Sequence, residues 1–265
     1  MATVTPLLPL KSMSAFLSTV QPVRMELPLV HITKSEYVAS IITEGALVPV
    51  DCPVFSEPLI YLFYGRPAYR IMTRSLASRA LYCPVCFVFK PYREIEPLIT
   101  RMFPFDSGAG KSGRFQAHIK HDTTEHYQLL PPNIRNAQCT ISCFYDNNMN
   151  YFCGRAKSAL TFQADEEIPA RYYALVNDDG LDDYDDRRSC IEIQISKKIS
   201  LKDALLTIVL PSTLLDDERV SVAIYQEWGT FPITYAIVHG TAPSQYTAVI
   251  RQRLLDFLSD TGYLK

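Results

Sequence analysis

Three strand-like segments of the chain carry side chains that could act together on one ligand. His31 interrupts an apolar run, Tyr61 and Tyr64 lie in a second run, and Glu192 alternates with isoleucine in a third. A histidine can hold a ligand by a hydrogen bond, and a tyrosine ring can stack on a flat ring system. A fixed carboxylate can stabilise positive charge that develops while a bond breaks. We therefore expect a cleft that the histidine and one of the tyrosines share.

The elements that would position these side chains follow the pattern strand, helix, loop and strand. Residues 27–33 form a short apolar run with β-branched side chains, which predicts a strand. Residues 34–44 place apolar side chains at helical spacing, and Gly45 stands where helices commonly end in the left-handed conformation. Residues 60–64 are again strand-like, and Gly65 ends them. Two neighbouring strands would thus carry the histidine and the tyrosines to one place.

This order of elements resembles the opening of the ADP-ribosyltransferase fold, in the branch that uses a His-Tyr-Glu triad. The branch includes the diphtheria-toxin-like enzymes, the poly(ADP-ribose) polymerases and the DNA-modifying bacterial toxins. Its members open with a strand that ends in His, a helix that ends in Gly and a later strand that carries Tyr. The matching residues here are His31, Gly45 and either Tyr61 or Tyr64, and the likeness is closest over residues 29–70.

Glu192 is the third member of the triad that the resemblance implies. In these families the catalytic Glu lies on a strand that follows an exposed loop, and another strand comes after it. Here the acidic segment 177–188, the strand predicted at 190–196 and the apolar run 205–210 stand in that order. The resemblance implies NAD as the cofactor, because cleavage of its nicotinamide–ribose bond builds positive charge on the sugar, which a carboxylate stabilises.

The resemblance also implies which side chains hold NAD. His31 would hydrogen-bond a ribose or the nicotinamide amide, and a tyrosine ring would stack on nicotinamide. Tyr61 and Tyr64 have opposite parity on a strand, so at most one faces the cleft; Tyr61 is preferred and Tyr64 is the alternative. Arginine suits pyrophosphate because its donors form a fixed fork. The predicted NAD-binding residues are His31, Thr33, Tyr61, Tyr64, Arg66, Arg70, Ser107 and Arg114.

Each of these assignments has a structural alternative. Glu192 would otherwise be a solvent-facing residue of a strand, and His31 a hydrogen-bonded structural histidine. Arg66 and Arg70 could instead form surface salt bridges. The chain also departs from the arginine-directed transferases, because Cys190 stands where they carry Glu or Gln and because a Ser-Thr-Ser motif is absent. Transfer to arginine is therefore not predicted.

Other motifs fall short of the patterns they suggest. The glycine-rich segment 108–112 lacks the earlier glycine of a phosphate-binding loop, since Phe105 stands in its place. Cys83 and Cys86 form a Cys-x-x-Cys pair without the second pair that a zinc site needs, so no metal site is predicted. The acidic segment 177–188 lacks the spacing of a calcium loop. On composition it is an exposed loop, which would suit a basic target surface better than a phosphate backbone.

Composition and charge describe an ordinary globular protein. The chain has 265 residues, with 48% hydrophobic and 20% charged side chains and a formal net charge of -2. This charge gives no general attraction to nucleic acid, so a protein acceptor is preferred. The N-terminus does not resemble a signal peptide, and no apolar run is long enough to cross a membrane. A reducing, cytoplasmic setting is expected, with secretion by a route that needs no cleaved signal as the alternative.

We predict an α+β fold of the ADP-ribosyltransferase type, with split, mostly antiparallel β-sheets around an NAD cleft and flanking helices. Residues 1–26 would form an N-terminal extension, and residues 27–240 the catalytic domain, with a possible insertion or lid at 118–158. Residues 241–265 would form a C-terminal helix packed on the domain. Further helices are predicted at 12–20, 68–80, 95–101 and 216–228. Further strands are predicted at 84–89, 159–162, 170–176, 190–196, 205–210 and 233–238, and irregular loops at 48–58, 103–115 and 177–188.

The predicted function is transfer of ADP-ribose from NAD to a macromolecular target. The resemblance implies that such an enzyme acts as a bacterial toxin, effector or defence enzyme. An NAD glycohydrolase on the same fold, with water as the nucleophile, is one alternative. A non-enzymatic binding module, in which the three residues meet by coincidence, is the other.

Overall fold

Strands and short helices alternate through the part of the chain that the structure describes. The computed structural model describes residues 9–68, 80–91, 95–180 and 186–265. The strands are β1 (Leu29–Lys34), β2 (Ala46–Leu47), β3 (Val50–Cys52), β4 (Glu57–Tyr64), β5 (Pro84–Phe89), β6 (Ile99–Phe103), β7 (Glu192–Ile195), β8 (Ile199–Ser200), β9 (Leu205–Pro211) and β10 (Phe231–Tyr235). The α-helices are α1 (Met13–Leu17), α2 (Val38–Glu44), α3 (Ser107–Lys111), α4 (Ile134–Tyr145), α5 (Asn148–Phe152), α6 (Glu167–Val176), α7 (Glu218–Val222) and α8 (Tyr246–Asp260).

Shorter helical turns connect these elements. The 3-10 helices are Ser35–Tyr37, Ala80–Tyr82, Glu96–Leu98, His121–Tyr127, Asp186–Ser189, Ser212–Asp216 and Pro243–Gln245, and one π-helical turn covers Ala223–Glu227. In the described ranges, none of the helices combines the length and the apolar character that crossing a bilayer requires.

One large sheet forms the centre of the molecule, in the order β10-β9-β5-β1-β4-β7-β6, and β3 pairs with the outer part of β4. All neighbours are antiparallel except β9 and β10, and β2 and β8 form a separate small ladder. Helices flank this sheet, so the α+β class with a mostly antiparallel sheet is confirmed. The strands other than β2 and β8 form one continuous sheet, whereas two split sheets were expected.

The ladder is weakest between β1 and β4. These strands share the residue pairs Leu29–Tyr64 and Val30–Phe63, whereas β1 pairs with β5 along its whole length. Beyond Val30, β1 stays with β5 while β4 continues with β7. The two halves of the sheet therefore separate, and a space opens between β1 and β4.

Both faces of the central strands are covered. Every residue of β5 and of β7 is buried, and the apolar ones join the main hydrophobic core. The alternative in which Glu192 faces solvent is therefore wrong for this strand. Its polar face is buried because Glu192 and Gln194 find hydrogen-bond partners in Ser107 and Arg101, and satisfied polar groups tolerate burial.

Several predicted elements are confirmed. The strand at 84–89 is β5, the strand at 205–210 lies within β9, and the strand at 233–238 appears earlier, as β10. Helical structure covers much of 216–228, as α7 and the π turn. The C-terminal helix is α8, in which Ile250, Leu254 and Leu258 recur every four residues and face the core.

Other predictions were wrong for identifiable reasons. The segment 170–176 belongs to α6, because Tyr172, Leu175 and Val176 pack on one helical face although their residue types favour strands. The loop predicted at 103–115 contains α3, which Asp106 caps by accepting from the Ala109 amide at 2.7 Å. Ile99–Phe103 is strand β6 after one 3-10 turn, and not a helix.

Two further loop and strand predictions fail, and one lies outside the described residues. The segment 48–58 contains β3 and the start of β4, and residues 159–162 have no regular structure. The helix predicted at 68–80 falls almost entirely outside the described residues.

The helices within 118–158, α4 and α5, bury aromatic side chains such as Phe144 and Tyr151 in the main core, which fits a structural role better than that of a lid.

Candidate functional site

A cavity of about 570 Å³ occupies the space between β1 and β4. Its walls are the outer half of β1, one face of α2, the segment that carries β2 and β3, and the middle of β4. Most of this surface is apolar, with side chains such as Ile41, Leu47 and Leu59, and the polar groups include His31 and Thr33. Its size lies in the range of pockets that hold small molecules and cofactors.

His31 holds the two halves of the sheet together where the backbone ladder stops. Its Nδ1 lies 2.9 Å from the carbonyl oxygen of Tyr61, which in a continued ladder would face Ile32. A carbonyl oxygen accepts only, so Nδ1 carries the proton and Nε2 keeps a lone pair. Burial lowers the pKa of His31, so the ring is neutral at pH 7. His31 can therefore accept one hydrogen bond from a ligand.

Tyr61 lines the cavity, and its hydroxyl is tied to the neighbouring strand. The hydroxyl oxygen lies 2.8 Å from the Cys52 sulfur, and burial raises the pKa of Tyr61 well above its usual value. Tyr64 has the opposite orientation. It is fully buried in the main core, and its hydroxyl accepts a hydrogen bond from the Leu27 amide at 3.0 Å. The structure thus places Tyr61 at the cavity and Tyr64 away from it.

Glu192 lies one strand further along the sheet, on the same face as Tyr61. In the β4–β7 ladder Glu192 stands opposite Phe63, and Gln194 stands opposite Tyr61. Directly paired residues project from the same face, so Glu192, Gln194 and Tyr61 belong together. Tyr61 and Phe63 line the cavity, whereas Glu192 is not among the described residues that line it.

Three hydrogen bonds hold the Glu192 carboxylate, which is 1% exposed. Oε1 accepts from the Ser107 hydroxyl at 2.5 Å and from the Gln194 amide at 2.7 Å, and Oε2 accepts from the Ser107 backbone amide at 3.3 Å. The N-terminus of α3 therefore supplies both Ser107 donors. This carboxylate is fixed in place instead of being solvated.

The surroundings raise the pKa of Glu192 to about 8. Burial is the main cause, and the nearby Asp106 adds to it, while the donors from Ser107 and Gln194 oppose it. Near neutral pH the carboxyl is thus mostly protonated, and its midpoint lies near pH 8. A positive charge placed beside it would favour ionisation, so the group is suited to a cationic ligand or transition state.

Arg66 does not contribute to the cavity. It is 5% exposed and pairs with Asp186 at 3.5 Å, and it donates to the Ser189 hydroxyl at 2.8 Å and to the Tyr151 carbonyl at 3.2 Å. Asp186 is also bound by Arg251. Arg66 therefore forms a salt bridge, but a buried one instead of the surface salt bridge named as the alternative, and Asp186 at this end of the acidic segment is buried with it.

The other four predicted NAD-binding residues have four different outcomes. Thr33 lines the cavity. Ser107 is fully buried and binds Glu192, so it supports the carboxylate instead of facing the cavity. Arg114 is exposed on the segment after α3 and is not among the cavity residues. Arg70 lies outside the described residues. Among the described residues of the cavity wall, the Lys or Arg side chain is Lys34, for which sequence reasoning gave no role.

Gln194 and Arg101 are the site residues that sequence reasoning missed. Gln194 stands two residues after Glu192, and on a strand this spacing alone places both on one face. Arg101 was assigned to a helix, which hid its position opposite Gln194 in the β6–β7 ladder. In the described ranges, no group of three or more His, Cys, Asp or Glu residues is arranged to bind a metal ion.

Comparison with models of known protein families gives no match, and comparison with curated protein sequences gives none either. The likeness to ADP-ribosyltransferases therefore rests on the order of elements and on the residues described above.

Proposed function

We propose that this protein is an NAD-dependent ADP-ribosyltransferase in which His31 and Tyr61 hold the nicotinamide–ribose end of NAD and Glu192 stabilises the ribose cation. One observation carries the proposal. The cavity opens where His31 replaces the ladder bond to Tyr61, and Tyr61 shares its sheet face with a fixed, buried carboxylate on the next strand. This combination suits cleavage of a bond to a positively charged leaving group.

The chain's own residues have distinct tasks in this reaction. His31 accepts a hydrogen bond from a ribose hydroxyl or from the nicotinamide amide through Nε2, which the Tyr61 carbonyl leaves free. The Tyr61 ring, whose hydroxyl is held by Cys52, offers a flat surface for stacking. Lys34 lies in the wall and pairs with Glu36 at 3.0 Å. In the proposal its charge also attracts the phosphates, a role that sequence reasoning gave to Arg66 and Arg70.

Glu192 acts as the electrostatic group. When NAD is bound, its pyridinium ring brings a positive charge, and loss of nicotinamide moves that charge to the ribose. A cation next to Glu192 lowers the pKa of the carboxyl from its raised value, so binding favours the ionised form that the reaction uses. Glu192 is not among the described residues that line the cavity, so the proposal requires a side-chain movement that brings the ribose and the Glu192 carboxylate into contact. The acceptor is proposed to be a macromolecule, with protein preferred.

Nicotinamide release from NAD by the purified protein, with and without cell lysate, tests the proposal. Glu192→Gln should abolish release, whereas Glu166→Gln, which changes a glutamate paired with Lys11 at 2.8 Å, should leave it unchanged. Dependence on lysate, with labelled ADP-ribose attached to macromolecules, would support transfer, and free ADP-ribose as the sole product would support the glycohydrolase. If no nicotinamide appears and NAD does not raise the melting temperature, the proposal fails in favour of a binding module.

A further inference from the structure

We propose that Gln194 and Arg101 are positioning residues that hold the Glu192 carboxylate in its working orientation. The inference rests on the proposed function for the importance of Glu192, and it adds two residues to which the resemblance gives no role. Gln194 contacts Glu192 directly, and Arg101 acts through Gln194.

The side-chain amide of Gln194 must point one way to serve Glu192. Gln194 is fully buried, and its Nε2 donates to Glu192 Oε1 at 2.7 Å and to the Ser107 hydroxyl at 3.0 Å. Its Oε1 accepts from Arg101 Nη1 at 2.9 Å. A guanidinium group can only donate, so it fixes the oxygen end of the amide on its own side. Arg101 thereby directs the NH₂ end of Gln194 to the carboxylate.

Arg101 is itself held from two sides. Its guanidinium pairs with Glu57 on β4 and lies over the Phe55 ring, 4.5 Å from the ring centroid. The chain of contacts runs from the partly exposed Glu57 through Arg101 and Gln194 to the buried Glu192. Both terminal nitrogens and one face of the guanidinium thus have a defined partner, which limits the orientations that Arg101 can adopt.

An irregularity in the sheet places Arg101 where it is needed. Ile99 pairs with Ile195, so a regular β6–β7 ladder would set Thr100 opposite Gln194. The register instead shifts between Ile99 and Arg101, and Arg101 takes the position opposite Gln194. Such bulges redirect side chains and often occur beside functional sites.

Removing Arg101 would free the Gln194 amide to rotate and to present its oxygen to Glu192. The ionised carboxylate would then lose a donor and face an acceptor, which disfavours its charge. The other groups that face Glu192 are Asp106, Ser107 and Tyr61. Asp106 adds negative charge, Ser107 already donates to Glu192, and the Tyr61 hydroxyl lies against Cys52. The pH at which Glu192 ionises should therefore rise, and turnover should fall.

The test compares Arg101→Met, Arg101→Lys and Gln194→Glu with Lys111→Met. Lys111 is the matched control because, like Arg101, it is a cation that lies over the Phe55 ring, at 4.6 Å from the ring centroid. Unlike Arg101, it has no described hydrogen bond to Gln194. In nicotinamide-release assays we expect Arg101→Met and Gln194→Glu to lower kcat by about 10- to 100-fold, the fold-change of one hydrogen bond to a charged group. KM for NAD should change little, and the rising limb of kcat/KM against pH should move to higher pH.

Arg101→Lys should recover part of the loss, because an ammonium group can also donate to the Gln194 oxygen. Turnover and pH profile identical to wild type in both Arg101→Met and Gln194→Glu would overturn the inference. An equal loss in Lys111→Met would overturn it as well, because the effect would then come from lost surface charge. If one variant does not fold, the other two substitutions still decide the outcome.

A second measurement separates this inference from the proposed function. The pH dependence of the free energy of unfolding reports the ionisation of Glu192 without NAD. If wild type releases no nicotinamide, the proposed function fails, yet Arg101→Met should still extend the fall in stability to higher pH. An unchanged pH dependence in Arg101→Met would refute the positioning role whether or not the protein is an enzyme.

Discussion

Replacing Glu192 by glutamine should change the way in which the stability of the protein depends on pH. The pKa of the Glu192 carboxyl is about 8 in the folded protein against an ordinary value of 4.5. The folded state therefore holds this proton more tightly than the unfolded state does. The stability that this group contributes is complete below pH 4.5 and is lost as the pH rises through 8. Glutamine does not titrate, so the variant lacks this dependence.

The magnitude follows from the two pKa values. Each pKa unit is worth about 1.4 kcal/mol, so the free energy of unfolding of wild type should fall by up to about 5 kcal/mol relative to the variant between pH 4.5 and pH 8. At low pH the variant should be the less stable protein. Its amide nitrogen faces a donor at Ser107 or Gln194, and an unsatisfied buried donor costs about 1–3 kcal/mol. Above pH 8 the order should reverse.

Urea unfolding at pH 5.5, 7 and 9 measures this difference. Glu166→Gln is the control, because hydrogen bonds from the Gln163 amide and from Lys11 lower the pKa of Glu166, the opposite direction. Stability from Glu166 is present above its ordinary pKa and is lost in acid, so the difference between this variant and wild type should be constant from pH 5.5 to 9. A constant difference for Glu192→Gln over the same range would refute the assignment of a raised pKa to Glu192.

Three further outcomes are expected. In wild type, kcat/KM for nicotinamide release should rise with pH up to about 8, because the free enzyme must ionise Glu192; a pH-independent profile from 6 to 9 would contradict its role. Tyr64→Phe should lower the free energy of unfolding by about 1–3 kcal/mol, because the Leu27 amide loses its partner. The same variant should keep the rise in melting temperature that NAD causes, whereas Tyr61→Ala should abolish that rise. Arg66→Met should lower the free energy of unfolding by about 3–5 kcal/mol in denaturant titrations, because a buried ion pair is broken. A loss of NAD binding without a loss of stability would contradict this structural role of Arg66.

The parts of the fold that the sequence predicted are those where local pattern and tertiary packing agree. In β5 a continuous apolar run with β-branched side chains is buried on both faces, and in α8 apolar residues recur at helical spacing. In the segment 170–176 the two conflict: aromatic and β-branched residues favour a strand, but the neighbouring core accommodates a helix. Helix α3 was missed because its glycines argued for a loop, and the Asp106 cap outweighs them.

The candidate site shows the same division. Strand parity allowed only one of Tyr61 and Tyr64 to face the cleft, and Tyr61, the preferred one, lines the cavity. The environment of Glu192 could not be read from its own segment, because Ser107 and Arg101 come from distant parts of the chain. Arg66 follows the tyrosine strand directly, yet its position is set by Asp186, which is 120 residues away (186 − 66). Long-range electrostatic partners leave no periodic pattern in a sequence.

In the described part of the large sheet, the junction between β1 and β4 has the fewest residue pairs. Two residue pairs, Leu29–Tyr64 and Val30–Phe63, and the imidazole of His31 connect the two halves across the cavity. A ligand in the cavity would contact both halves of the sheet. Its binding would therefore disfavour separation of the two halves at this junction. Hydrogen exchange at the amides of this junction should therefore slow when a ligand binds in the cavity. The exchange rate at the junction of β1 and β4 would then measure ligand binding.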